Sequence, residues 1–125
     1  MSEDNCGVCL GEFDGDPCTI WREAMPVARK AHQCSECGDA IAPGTRYESI
    51  SMLFEGKFDT YKVCAACSDI GKSLSCDGSR PLGFLWESVR DVFPEMTQAC
   101  VDKLRTAAGK RKLTDEWKKW KGLPA

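Results

Sequence analysis

One histidine, His32, is all that 125 residues contain. Imidazole is the usual general base at neutral pH, so its near absence removes most hydrolytic designs. No Ser/His/Asp or Cys/His arrangement is suggested by spacing, and the chain reads as a non-enzyme. Long apolar runs are also missing: none approaches the ~18 residues that a membrane helix needs. The opening residues lack a basic stretch followed by an apolar one, so no export signal is expected. These absences together predict a cytoplasmic protein without a membrane partner. The formal charge is only −2, which argues mildly against sequence-independent nucleic-acid binding, since that runs on positive charge.

Cysteine is what the chain has in excess, nine in all. In a reducing cytosol such residues serve as metal ligands or redox groups more often than as structural disulfides. Two identical pairs stand out, Cys34-x-x-Cys37 and Cys64-x-x-Cys67. Between them Arg46–Leu53 and Phe58–Val63 read as strands, joined by Glu55-Gly56-Lys57 as a hairpin turn. In the first strand Tyr47, Ser49, Ser51 and Leu53 share one face, and Ile50, Met52 and Phe54 the other. A hairpin flanked by two close pairs brings four thiolates to one point, the tetrahedral arrangement that Zn²⁺ takes. Four sulfur ligands close the coordination sphere, so this zinc is read as structural. A two-stranded hairpin is too small to stand alone in water, and ligation supplies the missing folding energy. Redox chemistry of the thioredoxin kind is disfavoured, because no βαβ pattern surrounds the pairs.

A second zinc is a further expectation. Cys6-x-x-Cys9 and Cys18 offer three ligands, and Cys76 is the best fourth, with His32 as its rival. Cys100 is left over. It falls on an apolar stripe and is read as a small buried hydrophobe.

The remaining chain reads as helix and loop. Ile20–Ala31 is a short helix or an extended arm, interrupted by Pro26. Cys67 opens a helix running to about Leu74, and residues 76–81 form a loop. Leu82–Phe93 is a helix with Leu85, Trp86, Val89, Val92 and Phe93 on one side, stopped by Pro94. Met96, Ala99, Cys100, Leu104 and Ala107 recur at helical spacing over Glu95–Ala108, with Gly109 as the stop. Thr114 is the expected N-cap of a last short helix carrying Trp117 and Trp120. The fold class is therefore α+β. Residues 1–81 form a zinc-binding domain with a cysteine-rich N-terminal arm, and residues 82–125 a helical segment packed on it or projecting from it.

Charge is unevenly spread. Residues 1–25 hold six acids against Arg22, a balance of −5, and residues 101–125 hold eight bases against three acids, a balance of +5. The basic end contains the candidate partner-binding residues Lys110, Arg111, Lys112, Trp117 and Trp120. Lysines beside tryptophans suit phosphate contact and base stacking. Two indoles at i, i+3 also suit docking on the protein's own body, which leaves the lysines as a solvated face. A third reading is a patch for a protein partner, where Trp is favoured.

The order of knuckle, hairpin and second knuckle at a helix start resembles a treble-clef zinc finger, a zinc-ribbon-like core. Treble-clef scaffolds also host HNH-type nucleases, but those carry active-site histidines, and His32 lies outside both the hairpin and the following helix. The run Arg29-Lys30-Ala31-His32-x-Cys34-x-x-Cys37-Gly38, then Ile41, Gly44 and Tyr47, and later Phe58-x-Thr60-Tyr61-Lys62-x-Cys64-x-x-Cys67, resembles small treble-clef zinc-finger proteins of tailed bacteriophages and prophages. The resemblance is best over residues 18–67. It implies a phage accessory protein acting in the bacterial host cytoplasm and binding a host protein such as a defence or transcription component, with inhibition of that protein as one outcome. Nucleic-acid binding through the basic end is the alternative.

Overall fold

The β-branched and aromatic residues of 47–64 form a hairpin, to which an earlier strand adds on one edge. In the computed structural model, residues 6–10, 19–54, 56–75 and 82–122 are described. Strands β1 (Thr19–Ala24), β4 (Tyr47–Phe54) and β5 (Lys57–Cys64) form an antiparallel sheet in the order β1-β4-β5. The short strands β2 (His32–Gln33) and β3 (Ala40–Ile41) pair separately. The β4–β5 hairpin turns at Gly56, which has φ of 78°. Its register sets Ile50 against Tyr61 and Ser51 against Thr60.

The alternation read from β4 holds: Ile50 and Met52 are buried on one face. Glu48 lies on that same face and is only 1% exposed. Its carboxylate meets the Lys72 ammonium at 3.2 Å, which supplies the partner a buried charge requires. Of the two readings for residues 20–31, the extended one is found. After β1 the chain stays extended, with Ala28 N–H donating to Thr45 O (2.8 Å) and Tyr47 N–H to Pro26 O (3.1 Å).

Helix α1 (Ala65–Leu74) follows β5 directly, with Cys64 at its N-cap position. It begins two residues earlier than Cys67. Helix α2 (Leu85–Val92) continues into a single 3₁₀ turn at Phe93–Glu95. As its periodicity predicts, it buries Leu85, Trp86 and Val89, followed by Phe93. Helix α3 is short (Gln98–Asp102), and α4 runs over Ala107–Lys121. One core joins the sheet to all four helices, through Ile50, Val63, Ile70, Val89, Val101 and Leu113 among others. Among the described residues no helix is long and apolar enough to cross a membrane.

The C-terminal third differs from its sequence reading. One helix was expected over 95–108 with a stop at Gly109, then a new start at Thr114. Instead the break falls at residues 103–106, Thr106 is the N-cap, and α4 passes through both Gly109 and Thr114. Asp69 on α1 is the cause. Its carboxylate accepts the N–H groups of Arg105 and Thr106 at 2.8–3.1 Å and the Thr106 hydroxyl at 2.6 Å. The Thr106 oxygen in turn accepts Gly109 N–H at 2.9 Å, a standard N-cap. Gly109 is not a terminator: a Cβ there would collide with Asp69 Oδ2 and lie 2.9 Å from Thr106 Oγ1. The glycine allows α1 and α4 to approach.

Candidate metal centre

The first two ligands sit in the tight turn between β2 and β3. Cys34 N–H donates to Asp39 O (2.9 Å) and Gly38 N–H to Cys34 O (3.0 Å). Gly38 has φ of 80°, which only glycine adopts at little cost. The turn is clipped to β5 by Ser35, whose N–H donates to Lys62 O (2.7 Å) and whose hydroxyl accepts Lys62 N–H (3.0 Å). This clip carries Cys34 and Cys37 to the end of β5. There Cys64 closes the strand, and Cys67 sits in the first turn of α1.

All four Sγ atoms lie within 4.8 Å of one another, and Cys37 and Cys64 are 3.9 Å apart. A tetrahedron with Zn–S near 2.3 Å has edges of about 3.8 Å, so the donor set fits a tetrahedral ion. Cys34 and Cys67 are buried; Cys37 and Cys64 are half-buried. Cys34 Sγ accepts N–H groups from Glu36 (3.4 Å), Cys37 (3.5 Å) and Cys64 (3.3 Å). Cys67 Sγ accepts the Trp86 indole N–H at 3.4 Å. Donors of this kind orient thiolates and spread their charge.

The titration pattern describes a cluster that tolerates little negative charge on its own. Hydrogen bonds from Cys64 and Cys67, then backbone N–H groups, hold the Cys34 thiol far below the ordinary range, against the effect of burial. Donating to Cys34 pushes Cys64 and Cys67 up. Burial pushes Cys37 up to about 12. A divalent ion would relieve this crowding, with release of protons. Lys112 brings a positive charge nearby. Burial works against its ammonium, but the hydrogen bond to Asp39 and the charges of Cys37 and Asp39 outweigh it, so its pKa is raised. The Lys112–Asp39 contact measures 2.7 Å and correspondingly lowers the Asp39 carboxyl. Cys37 opens onto a cleft of about 300 Å³ shared with Glu36, Asp39, Trp86, Arg90 and Lys112.

The second zinc site is corrected. Cys6 forms a disulfide with Cys100, and Cys9 is likewise disulfide-bonded, so neither offers a thiolate. Cys18 and Cys76 lie outside the described residues. Cys100 is fully buried, as its place on the apolar stripe predicts, but it is covalently paired rather than free. The pair straps the N-terminal arm to α3, and Val8 and Leu10 follow it into the core. Nothing in the spacing pointed to this bond, since its partners are 94 residues apart. His32 does not join the cluster; its ring lies 5.2 Å from that of Tyr47.

The C-terminal candidates are spread along α4. Lys110 and Arg111 are exposed, while Lys112 is turned to Asp39. Trp117 packs against the core, with the Lys121 ammonium 3.7 Å from its ring centroid. Trp120 touches the Phe93 ring at 5.6 Å between centroids and remains 49% exposed. The sequence pattern assigns no role at the site to Ser35, Trp86 or Asp69, although it places Trp86 on the apolar side of its helix. Adjacency to the ligands is the signal on offer: Ser35 lies inside the first pair and Asp69 two residues beyond the second. Comparison with protein-family models, curated proteins and solved structures found no match.

Proposed function

We propose that this chain is a zinc-stapled binding module of the treble-clef type, a phage-type accessory protein that presents α4 and its surroundings to a host protein. The observation that carries the reading is the closed four-thiolate cluster. It sits where a knuckle, a hairpin and a helix start converge, in the chain order of a treble clef. Four sulfur donors leave no open position for substrate, so the ion serves as a staple. The same donors accept iron, and zinc is the reading for a site whose role is structural. The partner surface is assigned to α4 because it is anchored on one side by Gly109, Leu113 and Trp117 and displays its other side. Trp120, half exposed at its end, is the aromatic anchor that protein interfaces favour. A defence or transcription component of the host is the class of partner that the sequence resemblance suggests.

A second reading, nucleic-acid binding, rests on a specific observation: Lys110, Arg111, Lys118, Lys119 and Lys121 are all exposed on α4. The two readings separate in one experiment. Tagged protein is used to capture partners from bacterial lysate with and without nuclease, and is titrated against a labelled generic duplex at several salt concentrations. Protein binding predicts a partner that survives nuclease and is lost with Trp120→Ala. Nucleic-acid binding predicts nuclease-sensitive capture and duplex affinity that falls with salt at a slope of about −0.9 per phosphate contact.

A further inference from the structure

Three carboxylates are interleaved with the metal-holding cysteines, and all three reach into the C-terminal helices. Glu36 stands inside the first knuckle. Its oxygens accept Gly83 N–H at 2.7 Å and Leu85 N–H at 3.0 Å, at the start of α2. Asp69 stands two residues beyond Cys67. It gathers Arg105 N–H, Thr106 N–H and the Thr106 hydroxyl at the start of α4, and Ser73 on its own helix. Asp39, two residues beyond Cys37, holds Lys112 in the second turn of α4. The Trp86 indole of α2 closes the same circuit at Cys67 Sγ.

We propose that Glu36 and Asp69 are positioning residues that couple metal occupancy to the placement of α2 and α4. With the ion bound, the knuckle and the first turn of α1 are held at fixed spacing, and both carboxylates meet their helix N-termini together. Without it, the Ser35–Lys62 hydrogen bonds are left to hold the first cysteine pair beside the second, and the spacing loosens. The N-terminal turns of α2 and α4 then lose their anchors, while the Cys6–Cys100 bond and the shared core keep the body folded. The coupling is reciprocal: whatever sets α4 in place also tightens the metal site. That α4 is the recognition surface rests on the function proposed above; the coupling itself does not, and its test contains no partner.

The test measures zinc affinity of the full chain by competition with a chromophoric chelator, together with amide exchange of Gly109 and Lys110. Three variants are compared: Asp69→Asn, Glu36→Gln and the core control Met52→Ala. Met52 is buried on β4, where it pairs with Asp59, five residues from Cys64, and it lies on none of α1, α2 and α4. The coupling predicts that Asp69→Asn and Glu36→Gln each weaken zinc binding at least tenfold, the range found for groups that orient ligands. Met52→Ala, on a strand away from the ligands, stays within about threefold. It also predicts that zinc removal from the wild type speeds exchange at Gly109 and Lys110 far more than in the β4–β5 hairpin, and that Asp69→Asn abolishes this contrast. If zinc affinity simply follows overall stability, with Met52→Ala as damaging as the carboxylate variants, the proposal is overturned. Unchanged zinc affinity in Glu36→Gln overturns the α2 branch even should Asp69→Asn fail to fold.

Discussion

Replacing Gly109 by alanine sets two opposing effects against each other, and the structure decides the sign. Helix propensity favours the change, since alanine is about 0.8–1.0 kcal/mol better than glycine inside a helix. Sterics oppose it. The added Cβ would collide with Asp69 Oδ2 and approach Thr106 Oγ1 to 2.9 Å and Asp69 Cγ to 3.1 Å. The carboxylate cannot swing aside without giving up bonds, because its oxygens hold Arg105 N–H, Thr106 N–H and the Thr106 hydroxyl. Each hydrogen bond to a charged group contributes about 1.5–3 kcal/mol. Losing one or two therefore outweighs the propensity gain, and Gly109→Ala should destabilise the protein by about 1–4 kcal/mol. With a urea slope of about 2 kcal/mol/M, the zinc-loaded midpoint should fall by roughly 0.5–2 M. The exposed neighbour is the control. Ala108→Gly should cost only about 1 kcal/mol, by propensity alone. A Gly109→Ala midpoint equal to or above the wild type would refute the account of how α1 and α4 meet.

Other perturbations test separate parts of the account. Trp86→Phe keeps an aromatic ring, though a smaller one, and removes the N–H donor to Cys67 Sγ, so zinc affinity measured by chelator competition should fall about tenfold or more. Leu113 is fully buried, and Leu113→Ala should cost about 2–5 kcal/mol in denaturant unfolding by leaving a cavity. Cys6→Ser removes the bond to Cys100 and should cost about 2–4 kcal/mol under oxidising conditions. Thiol reductant that leaves zinc in place should erase most of that difference between variant and wild type.

The legible parts of the fold were those set by local pattern. The alternation in β4 predicted which of its residues face the core, and Ile50 and Met52 are buried there. The paired Cys-x-x-Cys spacing singled out the four residues that cluster. What escaped was set by contacts distant in sequence. Gly109 looks like a helix stop until Asp69, forty positions away, is seen to need the space. The same carboxylate moves the α4 start from Thr114 to Thr106, and no window of local sequence contains both ends of that contact. Cys6 and Cys100 went unpaired for the same reason, and because the expectation of a reducing setting favoured metal over disulfide. Trp86 was correctly read as a core residue of α2, but periodicity says nothing of where its indole N–H points.

The claim on which the rest depends is that Cys34, Cys37, Cys64 and Cys67 hold one divalent ion as a folding staple. Native mass spectrometry of the intact chain, repeated after a strong chelator and paired with thermal unfolding, tests it most directly. One bound zinc per chain is expected, with its loss on Cys34→Ser and a large drop in melting temperature whenever it is removed. A wild-type chain at its bare polypeptide mass, with an unfolding transition that chelator does not move, would contradict it.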